Sequence, residues 1–328
     1  MSPFLKKHAF TFWLLLAVAL AILFPEPGTR GGFLHPEVTM KLGVWVIFFL
    51  QGLGLPTSEL AAGYRPKRLH GFVLSWNYLL FPLVVGLLAW PLSLLLPRDL
   101  ILGFWLLSIM PTTVSSAVVF STVSGGNTSN AIFSTVFSNL LSVLLVPVVA
   151  VTYLAAETEA QVPLLPLFRT LFLLIVLPLI LGQVVRKVVP TRAAAVAKKA
   201  KPLGNWIILF IVHCAFAGSV SSGFLDGLSA ATIAAVIGST IALLLLISAL
   251  VWASSAWLQV AHRSRISGFF CASQKALATG LPLATSILAA APGVVDAAAV
   301  LIPLMVYHPA QLVLAGLLSN RWAKQQAG

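Results

Sequence analysis

Ser273-Gln274-Lys275-Ala276-Leu277-Ala278-Thr279-Gly280-Leu281-Pro282 sits inside an apolar run from about residue 266 to 291. Arg265 marks the water-facing start of that run. Ten residues further on, at about 1.5 Å of rise per helical residue, Lys275 lies about 15 Å deep. That is near the middle of a hydrocarbon layer about 30 Å thick. A lysine at that depth is costly and marks a functional site. Gly280 and Pro282 follow, and both weaken a helix, the proline by removing a backbone donor and crowding the preceding turn. The reading is a midplane charge beside a break in a membrane helix.

The rest of the chain fits that reading. Of its 328 residues 59% are hydrophobic and 9% charged, with a mean hydropathy of +1.01, against about 25% charged in a soluble domain. The expected class is an all-α polytopic membrane protein. The net charge of +12 does not indicate nucleic acid as a partner, because the basic residues fall in short segments between apolar runs, as topology signals do. Cys214 and Cys271 lie inside apolar segments without metal-site spacing. The spans contain no paired carboxylates and the chain no phosphate-cradling glycine loop. Gly125-Gly126-Asn127 is a turn between two spans. An enzyme and a cofactor are therefore not expected. The apolar run from Ala9 to Phe24 leads into Pro25-Glu26-Pro27 without a small-x-small site, so it reads as a first membrane helix.

Ten apolar segments can be marked, approximately at 9–25, 38–54, 71–95, 101–123, 129–153, 165–185, 203–224, 229–258, 266–291 and 295–319. The connecting segments alternate in charge. Arg65, Lys67 and Arg68 follow the second span, together with Glu59; the fifth connection carries only Glu157 and Glu159. Arg186, Lys187, Arg192, Lys198, Lys199 and Lys201 follow the sixth span, and Arg321 and Lys324 the last. The positive-inside rule then puts both termini in the cytoplasm, with the chain multi-pass among membrane lipids. Two halves of five spans, 9–153 and 165–319, with a basic cytoplasmic linker at 186–202 read as the divider, make an inverted repeat, a recurring transporter plan. The fourth span of the first half is interrupted by Pro111-Thr112-Thr113-Val114-Ser115-Ser116, as the Lys275 stretch interrupts the fourth span of the second. Interrupted helices at membrane depth are tolerated where they are buried or line a cavity, and a matching pair points to a binding site.

Candidate substrate or ion ligands follow. The first break offers Thr112, Thr113, Ser115 and Ser116; the next span offers Asn130, Ser134, Thr135 and Asn139; the second break offers Gln274, Lys275 and Thr279. Ser134, Ser138 and Ser142 repeat at four on one helix face, as do Asn130 and Ser134, and for Ser138 and Ser142 the pattern also suits helix packing. Asn77 lies mid-span and is either a ligand or a helix–helix contact. His308 and Gln311 interrupt the last span beside Pro309, where a histidine could relay protons or serve structure; His213 has the same two readings.

The five-plus-five plan with two crossed broken helices, the Ser273-to-Leu283 stretch and Phe48-Phe49-Leu50-Gln51-Gly52-Leu53-Gly54-Leu55 resemble the bile acid:sodium symporter superfamily. The resemblance, over about Phe10 to Arg321, is to its bile-acid-symporter-like branch (solute carrier family 10 member 7-like, bacterial members), which implies a bacterial inner (plasma) membrane as the location. It implies a panel of the first, second, sixth and seventh spans and a core formed by the others, with substrate bound between them and alternating access by movement of the core. It also implies two sodium ions near the crossover, bound in part by an acid and a glutamine of the ninth helix. Gln274 matches the glutamine, Thr135 a threonine ligand of the fifth helix and Asn77 a glutamine of the third. The acid has no counterpart among Phe270, Cys271, Ala272 and Ser273, and Ser116 is followed by Ala117 where the relatives carry asparagine. A cation site with no carboxylate and an added ammonium is poor electrostatics. Lys275 is therefore expected to replace a sodium ion and to help attract an organic anion, with proton-coupled or uncoupled transport. The alternatives are a sodium-coupled organic anion symporter and a non-transporting membrane regulator. The sequence assigns no oligomeric state.

Overall fold

The computed structural model describes residues 3–55, 63–157, 164–290 and 296–327. Glu59, Glu159 and the junction of the ninth and tenth apolar segments at 291–295 lie outside them. Every element among the described residues is helical. Helix α1 covers Pro3–Leu23 and α2 Pro36–Gly54. α3 covers Lys67–Ser93 and contains a π turn at Trp76–Leu80. α4 (Arg98–Ile109) and α5 (Ser115–Val123) are the halves of one interrupted segment, followed by α6 (Thr128–Glu157). α7 runs from Leu164–Leu171 through a π turn at Phe172–Val176 into Leu177–Val188. α8 (Pro190–Lys199), α9 (Lys201–Ser221) and α10 (Ala230–Ser254) come next. α11 (His262–Ser273) and α12 (Leu277–Ala290) form the second interrupted segment, and α13 covers Ala297–Ala327.

Among the described residues seven helices, α2, α3, α6, α7, α9, α10 and α13, are long and apolar enough to cross a membrane, and α1 carries a shorter apolar stretch at Phe10–Leu23. Apolar side chains also face outward, as Leu87, Leu245 and Leu317 do. An all-round apolar helix suits lipid, where the backbone must satisfy itself internally. This is a multi-pass membrane protein.

Two expectations need correction. The second break falls at Gln274–Ala276, and Gly280 and Pro282 lie inside α12 rather than in the gap. Proline accounts for the first break only: Pro111 holds the preceding Met110 extended, at φ −65° and ψ 149°. The basic linker at 186–202 is mostly helical, because Arg186 and Lys187 end α7 and the alanine-rich α8 starts at Pro190. It also follows the sixth marked apolar segment, whereas the ranges 9–153 and 165–319 marked from the sequence adjoin at 154–164, of which 158–163 lie outside the described residues.

The chain forms two compact units. The first comprises Met1–Leu55, Pro147–Ser229 and Leu281–Leu301. Its tightest seam joins α2 to α7: a Cβ on Gly52 would run into the Leu179 carbonyl oxygen, and one on Gly182 into the Phe49 carbonyl oxygen. Gln183 Nε2 donates to the Gly52 carbonyl, and Arg186 Nη1 donates to the Leu53 carbonyl at 2.6 Å. A cation and an amide so cap the last carbonyls of α2. Gly52→Ala is expected to cost about 1–3 kcal/mol by forcing backbones apart. Gly54→Ala, whose Cβ meets only Ala197 at 3.8 Å, should stay near wild type. Thermal unfolding of both purified variants checks this; equal melting temperatures would remove the close-packing account.

The second unit comprises Pro56–Val146, Ala230–Gly280 and Ile302–Gly328. Within it α11 packs against α3, α5 and α10, over a core that includes Phe104, Leu107, Phe270 and Tyr307. The hydroxyl stripe of α6 faces α3. Ser134 Oγ lies 2.8 Å from His70 Nδ1, and Ser138 Oγ accepts from Asn77 Nδ2 at 3.3 Å. Those serines therefore pack helices together. At the end of α5 the turn expected at Gly125-Gly126-Asn127 forms, with Gly125 at φ 71°, a left-handed stop that glycine takes freely.

Candidate functional site

Both breaks lie in the second unit, and they meet there. The N–H of Ala276 donates to the Pro111 carbonyl at 2.7 Å, joining one extended stretch to the other. Lys275 is completely buried. Its Nζ donates to three main-chain carbonyls, Ser108 at 2.6 Å, Met110 at 2.9 Å and Asn77 at 3.1 Å. An ammonium has three donors, and all three are used. The ring of Phe81 lies 4.5 Å from Nζ and adds the attraction of its π face.

Local structure explains why these carbonyls are available. Ser108 and Met110 stand at the end of α4, where the last carbonyls of a helix have no intrahelical partner and the helix dipole favours a cation. Asn77 lies in the π turn of α3, a one-residue bulge common at functional sites. Among the described residues no carboxylate pairs with Lys275. A buried charge needs partners, and here main-chain dipoles supply them.

The backbone of Lys275 is held from the other side by α13. Gln311 Oε1 accepts from the Lys275 N–H at 2.7 Å, and Gln311 Nε2 donates to the Lys275 carbonyl at 2.7 Å. His308 Nδ1 lies 3.3 Å from that carbonyl, and Tyr307 donates to the Ser273 carbonyl at 2.8 Å. One side-chain amide thus completes both main-chain groups of a residue in the gap between α11 and α12. His308 and Gln311 were visible in the sequence as polar interruptions; Tyr307 was not, since an aromatic residue in an apolar span carries no such signal.

The remaining predicted residues separate into groups. Gln274 Oε1 accepts from Thr113 Oγ1 at 2.8 Å and Ser116 Oγ at 2.9 Å, so these three form an oxygen cluster at the crossing. Thr113 Oγ1 also accepts from the N–H of Ala117 at 3.2 Å and so caps α5. Asn139, on α6, links three more: its Nδ2 donates to the carbonyls of Thr112 and Thr135, and its Oδ1 accepts from Thr279 Oγ1 at 3.0 Å. Asn77 Oδ1, Thr112 Oγ1 and Gln274 Nε2 are buried without a protein partner among the described residues. Ser115 is exposed at the first turn of α5. Asn130 stands apart from the crossing. Its Nδ2 donates to the Gly63 and Arg65 carbonyls and its Oδ1 accepts from Ser264, so it ties backbone together. His213 belongs to the other unit, near the Ala17 carbonyl at 3.4 Å. Lys275, expected also to help attract an anion, is buried here with all three Nζ donors on main-chain carbonyls.

Comparison with known proteins gives the family. Residues 8–324 match the family described as SBF-like CPA transporter family (DUF4137). The chain is 32% identical to sodium/bile acid cotransporter 7 of Danio rerio, over 95% of this chain and 93% of the relative. It is 30% identical to sodium/bile acid cotransporter 7 of Mus musculus, over 95% and 92%. It is also 30% identical to the Pseudomonas aeruginosa protein PA2026, over 97% and 93%. The vertebrate relatives are named as cotransporters, not as enzymes. The chain belongs to the SBF-like CPA transporter family.

Proposed function

We propose that the protein is a secondary active transporter of a small organic anion that works by alternating access, with Lys275 as a built-in replacement for a sodium ion. The observation that carries this is the cage of three carbonyls around its Nζ. Carbonyl oxygens at helix ends and unwound turns are what broken-helix transporters offer a coupling cation. A covalently held ammonium fills that role without an ion from solution, so transport is proton-coupled or uncoupled. The amino ends of α5 and α12, at the breaks, draw the anion.

The architecture in this reading has ten spans: the seven long helices, α1 and the two interrupted segments. They form halves 9–153 and 165–319 in inverted orientation, with both termini and the basic 186–202 segment cytoplasmic. The first compact unit, which holds α1, α2, α7 and α9, corresponds to the panel and the second to the core. Each helix that passes from one unit to the other carries a proline near the passage, Pro147 in α6, Pro282 in α12 and Pro303 in α13. Prolines there loosen the backbone ladder where movement of core against panel needs it.

Sodium-coupled symport is the second reading. It is favoured by the names of the vertebrate relatives and by the oxygen cluster of Thr113, Ser116 and Gln274. A thermal-shift titration separates the two, since a ligand bound to the folded state raises its apparent stability. Wild type titrated with sodium at constant ionic strength against choline is expected to show no sodium-specific shift. A clear shift would establish a sodium site and overturn the replacement. Counterflow in liposomes distinguishes either transporter from a non-transporting regulator, which binds without flux.

A further inference from the structure

The first compact unit contains a cavity of about 310 Å³, within the size range of small-molecule sites. Its lining changes character with depth. Lys41, Glu37 and Arg30 stand at its exposed side, Met40, Val44 and Leu174 form apolar wall, and the buried Thr285 and Ser286 close it. Leu174 lies in the π turn of α7.

The charges at the rim are unequal. Arg30 Nε lies 4.0 Å from Glu37 Oε1, which also accepts from the Gly31 N–H at 2.9 Å. Lys41, one turn beyond Glu37 on α2, has no carboxylate in ion-pair range among the described residues. The rim therefore carries one uncompensated positive charge. At the closed end the Thr285 hydroxyl donates to the Leu281 carbonyl at 3.0 Å and the Ser286 hydroxyl to the Pro282 carbonyl at 2.7 Å. With their protons committed, these oxygens present lone pairs, which suit a donor on the ligand.

We infer that this cavity binds a small amphipathic carboxylate, its anionic group on Lys41, its body against Met40, Val44 and Leu174, and a hydroxyl toward Thr285 and Ser286. The cavity takes a ligand of about one ring rather than a fused four-ring skeleton, by volume. The site deepens the transporter reading, because α12 carries Thr279 at the crossing and Thr285 and Ser286 about two turns further along. Binding itself does not depend on that reading.

Mandelate has one ring, a carboxylate and a hydroxyl, and mandelamide is its neutral counterpart. Mandelate is expected to raise the melting temperature of the purified full-length protein in nanodiscs in a saturable way, and mandelamide is not. Lys41→Gln should weaken the apparent Kd about tenfold, Lys41→Arg should restore it, and Glu37→Gln, which frees Arg30, should tighten it a few-fold. Opposite effects at Lys41 and Glu37 exclude general damage to the fold. No mandelate response in wild type, an equal response to mandelamide, or the same Kd in wild type and Lys41→Gln overturns the site. Counterflow of labelled mandelate in liposomes is read separately. Lys41-dependent binding without flux keeps the site and removes the transport reading, whereas flux unchanged by Lys41→Gln removes the site.

Discussion

Lys275→Ala is expected to lose transport and to gain a response to sodium. In the wild type the ammonium satisfies the carbonyls of Ser108, Met110 and Asn77. Removing it leaves three buried acceptors, at about 1–3 kcal/mol for each unsatisfied group, plus a void where the side chain lay. A lone cation that enters the void recovers those interactions, so sodium should stabilise Lys275→Ala and leave wild type unmoved. Lys275→Met fills the space without charge and should be inactive and insensitive to sodium. Thermal shift across a sodium series for the three proteins, with counterflow in liposomes, reads all of this. Full transport by Lys275→Ala would remove the lysine from the mechanism, and a sodium response equal in Lys275→Ala and Lys275→Met would remove the cage.

Gln311→Leu carries the second large effect. The Gln311 amide meets both the N–H and the carbonyl of Lys275 at 2.7 Å, and Gln311 is buried. Leucine is close in size but leaves the Lys275 N–H unpaired and its carbonyl with only His308 Nδ1, 3.3 Å away, a loss of about 1–6 kcal/mol at about 1–3 kcal/mol for each unsatisfied group. The extended stretch between α11 and α12 would then lose its support, and transport should fall with the melting temperature. Gln311→Glu, which keeps an acceptor for the N–H but loses the donor to the carbonyl, should fall between. The check is the order of melting temperatures, wild type above Gln311→Glu above Gln311→Leu; a Gln311→Leu protein as stable as wild type would show that the break is held by something else.

Which residues meet at the crossing was legible in part. Gln274, Thr113 and Ser116 do come together, and so do Thr112, Thr135 and Thr279, through Asn139. Gln274, Thr113, Ser116, Asn139 and Thr279 meet through their side chains, as polar residues in an apolar run must find partners, whereas Thr112 and Thr135 are reached only at their main-chain carbonyls. Asn130 is polar for a different reason, since it fastens the chain at Gly63 and Arg65. Periodicity placed it on the same stripe as Ser134 but could not say which neighbour that stretch of α6 faces.

Composition and charge pattern alone determined the class of the protein. A chain that is 59% hydrophobic and 9% charged has nowhere to hide its apolar surface but lipid, and lipid admits a chain of this kind as helices. Counting residues out from Arg265 also set Lys275 well inside an apolar run, and the structure buries it. The partners of that lysine did not. Its cage consists of main-chain carbonyls, which every residue carries, and only the end of α4 and the π turn of α3 make these three available. Nor did the sequence locate the second break. Pro282 pointed past it, while the extended backbone at Gln274–Ala276 is held by Gln311 and Pro111, distant in the chain. Local propensity shows where a helix is weak; tertiary hydrogen bonds decide where it opens.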